Sequence, residues 1–284
     1  MGVACRDGAA PGDAAAPSSV PDKLPLAGAD TDWREFRARL VASQGASSSA
    51  PAAEGAESPS AGGGDQPRLW AHPIPRPERG CLLVAHPLVF RTQQTYFFQA
   101  VILLLDHGKE GSQGLILNKR TEHRMRGVLG AEMLCPEFAD NPLFLGGDVD
   151  FNTLRMLHAH ASLPGTMEIV SGLYSGGFEA AQEAVRAGNL DAQSLRIFTR
   201  VAGWAPGQLE AECAAGVWFP AAASAALVLD AGLDGAELWH KTLDLMGEQD
   251  EEFSGLSQAM RESYRPDIMG RPAPSGSDDD PPQP

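Results

Sequence analysis

Ala100-Val101-Ile102-Leu103-Leu104-Leu105-Asp106-His107-Gly108-Lys109-Glu110-Gly111-Ser112-Gln113-Gly114-Leu115-Ile116-Leu117-Asn118 decides the fold of this chain. Two apolar runs of strand length, Phe97–Leu105 and Gly114–Asn118, flank a polar, glycine-bearing interval, Asp106–Gly111, of hairpin length. Runs joined this closely pair as antiparallel neighbours. The first run is almost wholly apolar, which places its strand at the centre of a sheet.

Outward from the hairpin, short strand signals alternate with helical ones. Upstream, Cys81-Leu82-Leu83-Val84-Ala85 reads as a buried strand stopped by His86-Pro87, with the core beginning after Pro73, Pro75 and Pro77. Downstream, strands are expected at Leu143–Leu145, Leu154–His158, Met167–Val170, Leu195–Val201 (half-exposed, by its alternation), Val217–Phe219 and Ala226–Leu229. Helices are expected around Arg124–Met133, over Phe178–Ala187 with Gly188 as its stop, and from Pro206 at its favoured first-turn place to Gly216. Another is expected from the cap Asp234 through Leu238 and Leu245 to Met246. Hairpins are frequent, helices are interspersed, and no repeat is visible. The fold class is α+β, a single domain with a mostly antiparallel sheet and flanking helices.

Composition sets the domain limits. Of 284 residues, 1–66 are dominated by Ala, Gly, Pro, Ser and Asp and hold too little apolar surface to offset the entropy of ordering. This largely disordered extension contains one amphipathic helix near 32–42, where Trp33, Phe36, Leu40 and Val41 share a face. Residues 67–246 form the domain. Residues 247–284 form an acidic C-terminal extension, with a helix at 251–264 and then a disordered tail. The net charge of −15 divides as −4, −5 and −6 over these three segments, so two-thirds of it lies in the flanks. Duplex nucleic acid requires a basic footprint that this chain lacks, so no direct nucleic-acid binding is expected. The longest apolar run, Ala100–Leu105, is far shorter than a membrane span of ~20 residues. No membrane association is expected.

Chemistry-bearing patterns are sparse. Cys5, Cys81, Cys135 and Cys213 are dispersed, with no zinc-type spacing, and fit thiols in a reducing compartment. Cys135, before Pro136, is the one expected to be accessible. His158-Ala159-His160 has a metal-friendly spacing that would need a third ligand from elsewhere, Asp148, Asp150 or His107, and reads as strand-end histidines. No Gly-x-Ser-x-Gly elbow frames a serine, and Gly172–Gly177 lacks both the dinucleotide and the Walker pattern. No metal or cofactor is expected. Asn118-Lys119-Arg120 directly follows a buried strand, and Gln208 and Glu210 open a helix that could face the same region. These five are the candidate ligand-binding residues, suited to an anion.

Taken in order, Gly80–Pro87, Phe97–His107, Gly114–Lys119, Leu143–Val149, Met156-Leu157-His158, Gly203-Trp204-Ala205-Pro206-Gly207-Gln208-Leu209-Glu210 and Gly216-Val217-Trp218 resemble the YqgE/AlgH family over about residues 78–246. The chain departs from the family pattern twice. Gly146-Gly147-Asp148-Val149 stands where Gly-Gly-Pro-Val is usual, and Arg200-Val201 where Gly-Tyr is common. The resemblance implies a sheet curled into a partial barrel. It implies no agreed reaction, cofactor or catalytic residue, and bacterial members are linked to regulation of gene expression. The flanking extensions look like those of plant and algal members, which points to a plastid, with the cytoplasm as the alternative. The function expected is a non-enzymatic regulatory or protein-binding module with an unidentified protein partner. The alternative is an enzyme or small-ligand binder with an anion pocket at the five residues above.

Overall fold

The structure, a computed structural model, is described for residues 69–128 and 135–263. The extension 1–66, its expected helix near 32–42 and the tail beyond Ser263 lie outside the described residues. The elements run β1 (Ala71–Pro73), β2 (Leu82–Ala85), β3 (Val101–Gly108), β4 (Gly111–Ile116), β5 (Arg120–Arg124), β6 (Pro142–Leu145), β7 (Val149–His158), β8 (Thr166–Val170) and β9 (Leu173–Gly176). Then come α1 (Phe178–Arg186), β10 (Arg196–Trp204), α2 (Gln208–Ala214), β11 (Trp218–Ala223), α3 (Ala225–Leu229), α4 (Ala236–Gly247) and α5 (Glu251–Ser263).

The strands form one sheet in the order β1-β11-β2-β3-β4-β10-β7-β9-β8, with β6 beside β10 and β5 beside β6. Every pairing is antiparallel except β6 with β10. The expected hairpin is β3–β4, but its arms reach further than the apolar runs. Gly108 pairs with Gly111, so only Lys109 and Glu110 turn the chain. Neither has a positive φ, and Gly111, at φ 117°, supplies the reversal.

Side-chain alternation explains the continuous apolar runs. Leu82, Val84, Val101, Leu103, Leu115 and Leu117 share one core with Phe198 and Trp239. Cys81, Leu83, Ala85, Ile102, Leu104 and Ile116 share the opposite one with Trp204, Leu209 and Trp218. The central strands are thus covered on both faces, α4 lying over the first core and the aromatic layer over the second. A third core joins Met156 and Ile197 to Ala181 of α1. The sheet is curled: the Arg79 guanidinium bonds to Leu105 O at the end of β3 and also to Glu168 O and Ile169 O of the terminal strand β8. The expected half-barrel with flanking helices is what the structure shows.

Five local expectations are corrected. Ala226–Leu229 is part of helix α3, because the Ser224 hydroxyl caps it by accepting from Leu227 N; a short apolar run alone does not separate strand from helix. Arg124 ends a strand, and Met125–Gly127 is a single 3-10 turn, while the remainder of that expected helix is mostly outside the described residues. Helix α2 begins at Gln208 behind Gly207, two residues after Pro206. Strand β10 is central, not half-exposed. Its Arg196 is buried and bonds to Val228 O and Leu117 O, so a charge in the alternation is absorbed by carbonyl groups. The sheet also starts earlier than expected, since Ala71–Pro73 pairs with Ala221–Ala223.

Candidate functional site

The two halves of β10 have different neighbours. Ile197–Thr199 pair with β6 and β7, whereas Ala202–Trp204 pair with β4. Register shifts between Thr199 and Val201, and Arg200 takes up the bulge with φ 65°. The preceding Gly147 lies flat on this bulge, where an added Cβ would come 1.9 Å from the Val201 carbonyl carbon. Glycine is required there by close approach.

Beyond the bulge the strands end in an open groove of about 430 Å³ lined by Asp106, Glu110, Ser112, Gln113, Val149, Gly203 and Trp204. Register builds its floor. Asp106 pairs with Gln113, Gln113 with Gly203, and a Cβ on Gly203 would meet Val149 Cγ2 at 3.2 Å. The paired row Asp106–Gln113–Gly203 therefore crosses three strands, and Val149, paired with Val201 on β10, packs beside its end on a fourth. Val149 and Phe151 project from β7 at 42% and 65% exposure. The Arg200 guanidinium stacks 4.3 Å above the Phe151 ring. Burial pushes the Tyr96 phenol up to about 12, helped by the hydrogen bond it donates to Asp148 at 2.8 Å.

The opposite face at the same end carries a polar line. Ser112 Oγ lies 2.8 Å from His107 Nδ1, and His107 Nε2 lies 3.7 Å from Glu210 Oε1. These are a nucleophile, a base and an acid in sequence. Ser112, however, sits within a paired strand and is only 7% exposed, without the sharp turn that presents a nucleophile. The imidazole–carboxylate separation also exceeds a hydrogen bond. Next to this line Glu212 accepts from the indoles of Trp204 (2.9 Å) and Trp218 (2.7 Å) and from Gln208 (2.8 Å). Gln208 also accepts from Ala205 N, closing the turn into α2.

The five candidate ligand residues do not converge. Asn118 lies six residues along the chain from Ser112, roughly 20 Å at ~3.3 Å per extended residue. Asn118 is buried and committed: it accepts from Val101 N and donates to Gln99 O and Gly235 O. Lys119 donates to Phe98 O at 2.7 Å, and burial lowers its pKa. Arg120 faces Asp234 at 3.9 Å. Gln208 and Glu210 stand at the hairpin end instead, so the expectation that they share a region with Asn118–Arg120 is corrected. Asp106, Glu110, Val149, Phe151 and Arg200 were missed by sequence reasoning. The only signal near them was the pair of departures from the family pattern, Asp148 and Arg200.

Elsewhere, His158 is buried, with its Nε2 3.2 Å from Gly176 O and its ring stacked 5.8 Å from that of His160. Burial lowers its pKa. No group of three or more His, Cys, Asp or Glu among the described residues is arranged to hold a metal. Burial raises the Cys135 thiol, helped by Glu137, and pushes Cys213 up to about 11, both away from reactive thiolates.

The fold and this groove define a single-domain α+β protein with a curled antiparallel sheet and an acidic, aromatic-edged face at one strand end. The chain belongs to the AlgH-like family (DUF179), whose match spans residues 82–251. A UPF0301 protein of Bacteroides thetaiotaomicron is 30% identical over 184 residues, 64% of this chain and 89% of that one. One from Chlorobium luteolum is 34% identical over 171 residues, 59% and 85% of the two chains. A crystal structure of a Corynebacterium diphtheriae protein superposes with a TM-score of 0.50 at 25% identity, covering 66% of this chain and 93% of its own. The relatives named here are bacterial, and no helix among the described residues is long and apolar enough to cross a membrane.

Proposed function

We propose that this protein is a non-enzymatic regulatory module that acts by binding another protein through the groove face at the β3–β4 hairpin end. The observation that carries the reading is the exposed pair Val149 and Phe151, with Arg200 stacked on the ring, at the rim of a groove floored by paired strands. Solvent-facing aromatic and arginine side chains on a rigid base are the usual anchors of protein interfaces. Rigidity matters because little side-chain or backbone freedom is then lost on binding. The acidic groove repels a phosphate backbone, which favours protein over nucleic acid as the partner. We place the protein in a plastid, a proposal that imaging of a fluorescent fusion of the full chain checks directly.

Affinity capture with the full chain tests the binding reading. A Gly203→Met variant fills the groove while leaving the strand pairing intact. A partner retained by the parent and lost by this variant supports the reading. Capture that is equal with both, or absent with both, contradicts it.

A further inference from the structure

We infer that the occupant of the groove is a protein segment presenting a Lys or Arg side chain flanked by apolar ones, the cation in the groove and the apolar groups on Val149 and Phe151. This rests on the protein-binding reading above and adds to it the chemistry of the partner. Charge complementarity carries it. Asp106 and Glu110 line the groove, and Asp148 and Asp150 flank Val149 of its lining in the chain. The lining holds no Lys or Arg. Arg200 is turned onto the Phe151 ring at 4.3 Å and so offers its charge over the apolar rim, not within the groove.

The acids are not spent on internal partners of opposite charge. Among the described residues, no salt bridge engages Asp106, Glu110, Asp148 or Asp150, whereas Glu137, Asp140, Asp234, Glu237 and Asp244 are each paired with arginine. Asp106 accepts only from its neighbour's backbone, His107 N, and Asp148 from the Tyr96 hydroxyl. Gly203 keeps the floor open between them, since any side chain there would rise from the row that separates Asp106 from Val149. An apolar shelf beside unpaired carboxylates suits an aliphatic stem that ends in a cation, because such side chains lay their methylene groups on apolar surface and place the charge at the tip. An acidic or purely apolar segment would leave carboxylates crowded or desolvated without partners.

Fluorescence anisotropy on the full chain tests this with two labelled twelve-residue peptides, one alternating Leu with Arg and its analogue alternating Leu with Glu. The Leu/Arg peptide is expected to bind, more weakly as salt is raised, and the Leu/Glu peptide not to bind. Asp106→Asn with Glu110→Gln, and separately Phe151→Ala, are each expected to weaken binding at least tenfold, with circular dichroism confirming an unchanged fold. Equal binding of both peptides, or no binding of either, overturns the proposal. Binding that emerges only after Arg34, Arg37 and Arg39 are replaced by Glu overturns it in favour of the chain's own Trp33–Val41 segment. If a cellular partner is lost on Gly203→Met while the Leu/Arg peptide fails, the contact face stands and the partner chemistry falls. Peptide binding with no partner captured sinks the proposed function alone.

Discussion

Arg200 shows how one residue joins fold to face. Its φ of 65° is a left-handed conformation that costs a non-glycine residue ~1 kcal/mol. It is held there by the β10 bulge on one side and Gly147 on the other. Stacking on Phe151 returns ~0.5–1 kcal/mol at such an exposed site. Arg200→Gly should therefore change stability by no more than about 1 kcal/mol in urea unfolding, since relieved strain offsets the lost stacking. A loss above ~2 kcal/mol would show that the arginine is structural. Gly147→Ala is the contrast. A methyl 1.9 Å from Val201 has no space, and we expect a loss of ~3 kcal/mol or more by the same measurement. The family pattern made Gly146-Gly147 visible as a motif, but only the structure shows that backbone contact is the reason for it.

At the scale of elements, β3 and β4 were legible because both faces of each strand are buried, which leaves a continuous apolar run. Helix α1 was legible because a single face is. What failed were elements whose residues satisfy their polar groups at long range. Arg196 reads as a solvent-facing position in an alternating strand, yet its guanidinium bonds to carbonyls 32 and 79 residues away. The short run Ala226–Leu229 has no period of its own, and Ser224 decided it. Similarly, Glu212 carries no motif, yet one of its carboxylate oxygens accepts from two indoles and so fastens α2 to β10 and β11. Glu212→Ala leaves both indole N–H groups without that acceptor. Destabilisation of ~2–4 kcal/mol is expected, read by chemical denaturation with tryptophan fluorescence as the probe. An effect below ~0.5 kcal/mol would mean that water replaces the carboxylate at no cost.

Across the whole molecule, buried imidazoles set the pH response. Burial lowers the folded-state pKa of His158 and of His240, the latter bonded to Ser257 Oγ at 3.0 Å between α4 and α5. The unfolded chain protonates near ~6.5, so below that pH it holds more protons than the folded one. Stability is therefore full above about pH 6.5 and falls as the solution is acidified through the lowered folded values. Melting temperatures between pH 8 and pH 5 should show this decline, and His158→Gln should make the slope shallower. An unchanged slope would assign the decline to other groups. The candidate site was the least legible part of the molecule. Exposure of Phe151 and the alignment of Asp106 with Val149 depend on register across four strands, which no local pattern encodes. Of the strand-end polar groups chosen from sequence, the fold turns Asn118 and Lys119 inward to hold the start of α4 and the loop before β3, and leaves Arg120 exposed opposite Asp234.

The claim that the hairpin-end groove is a protein-contact face is tested most directly by photo-crosslinking. A photoreactive amino acid replaces Phe151 in one full-length preparation and Glu183, exposed on α1, in another. Each is irradiated in extract from the source cells. Discrete protein adducts from the Phe151 position, absent from the Glu183 position and suppressed by adding Gly203→Met, are the predicted result. No adduct at Phe151, or the same adducts from both positions, would contradict it.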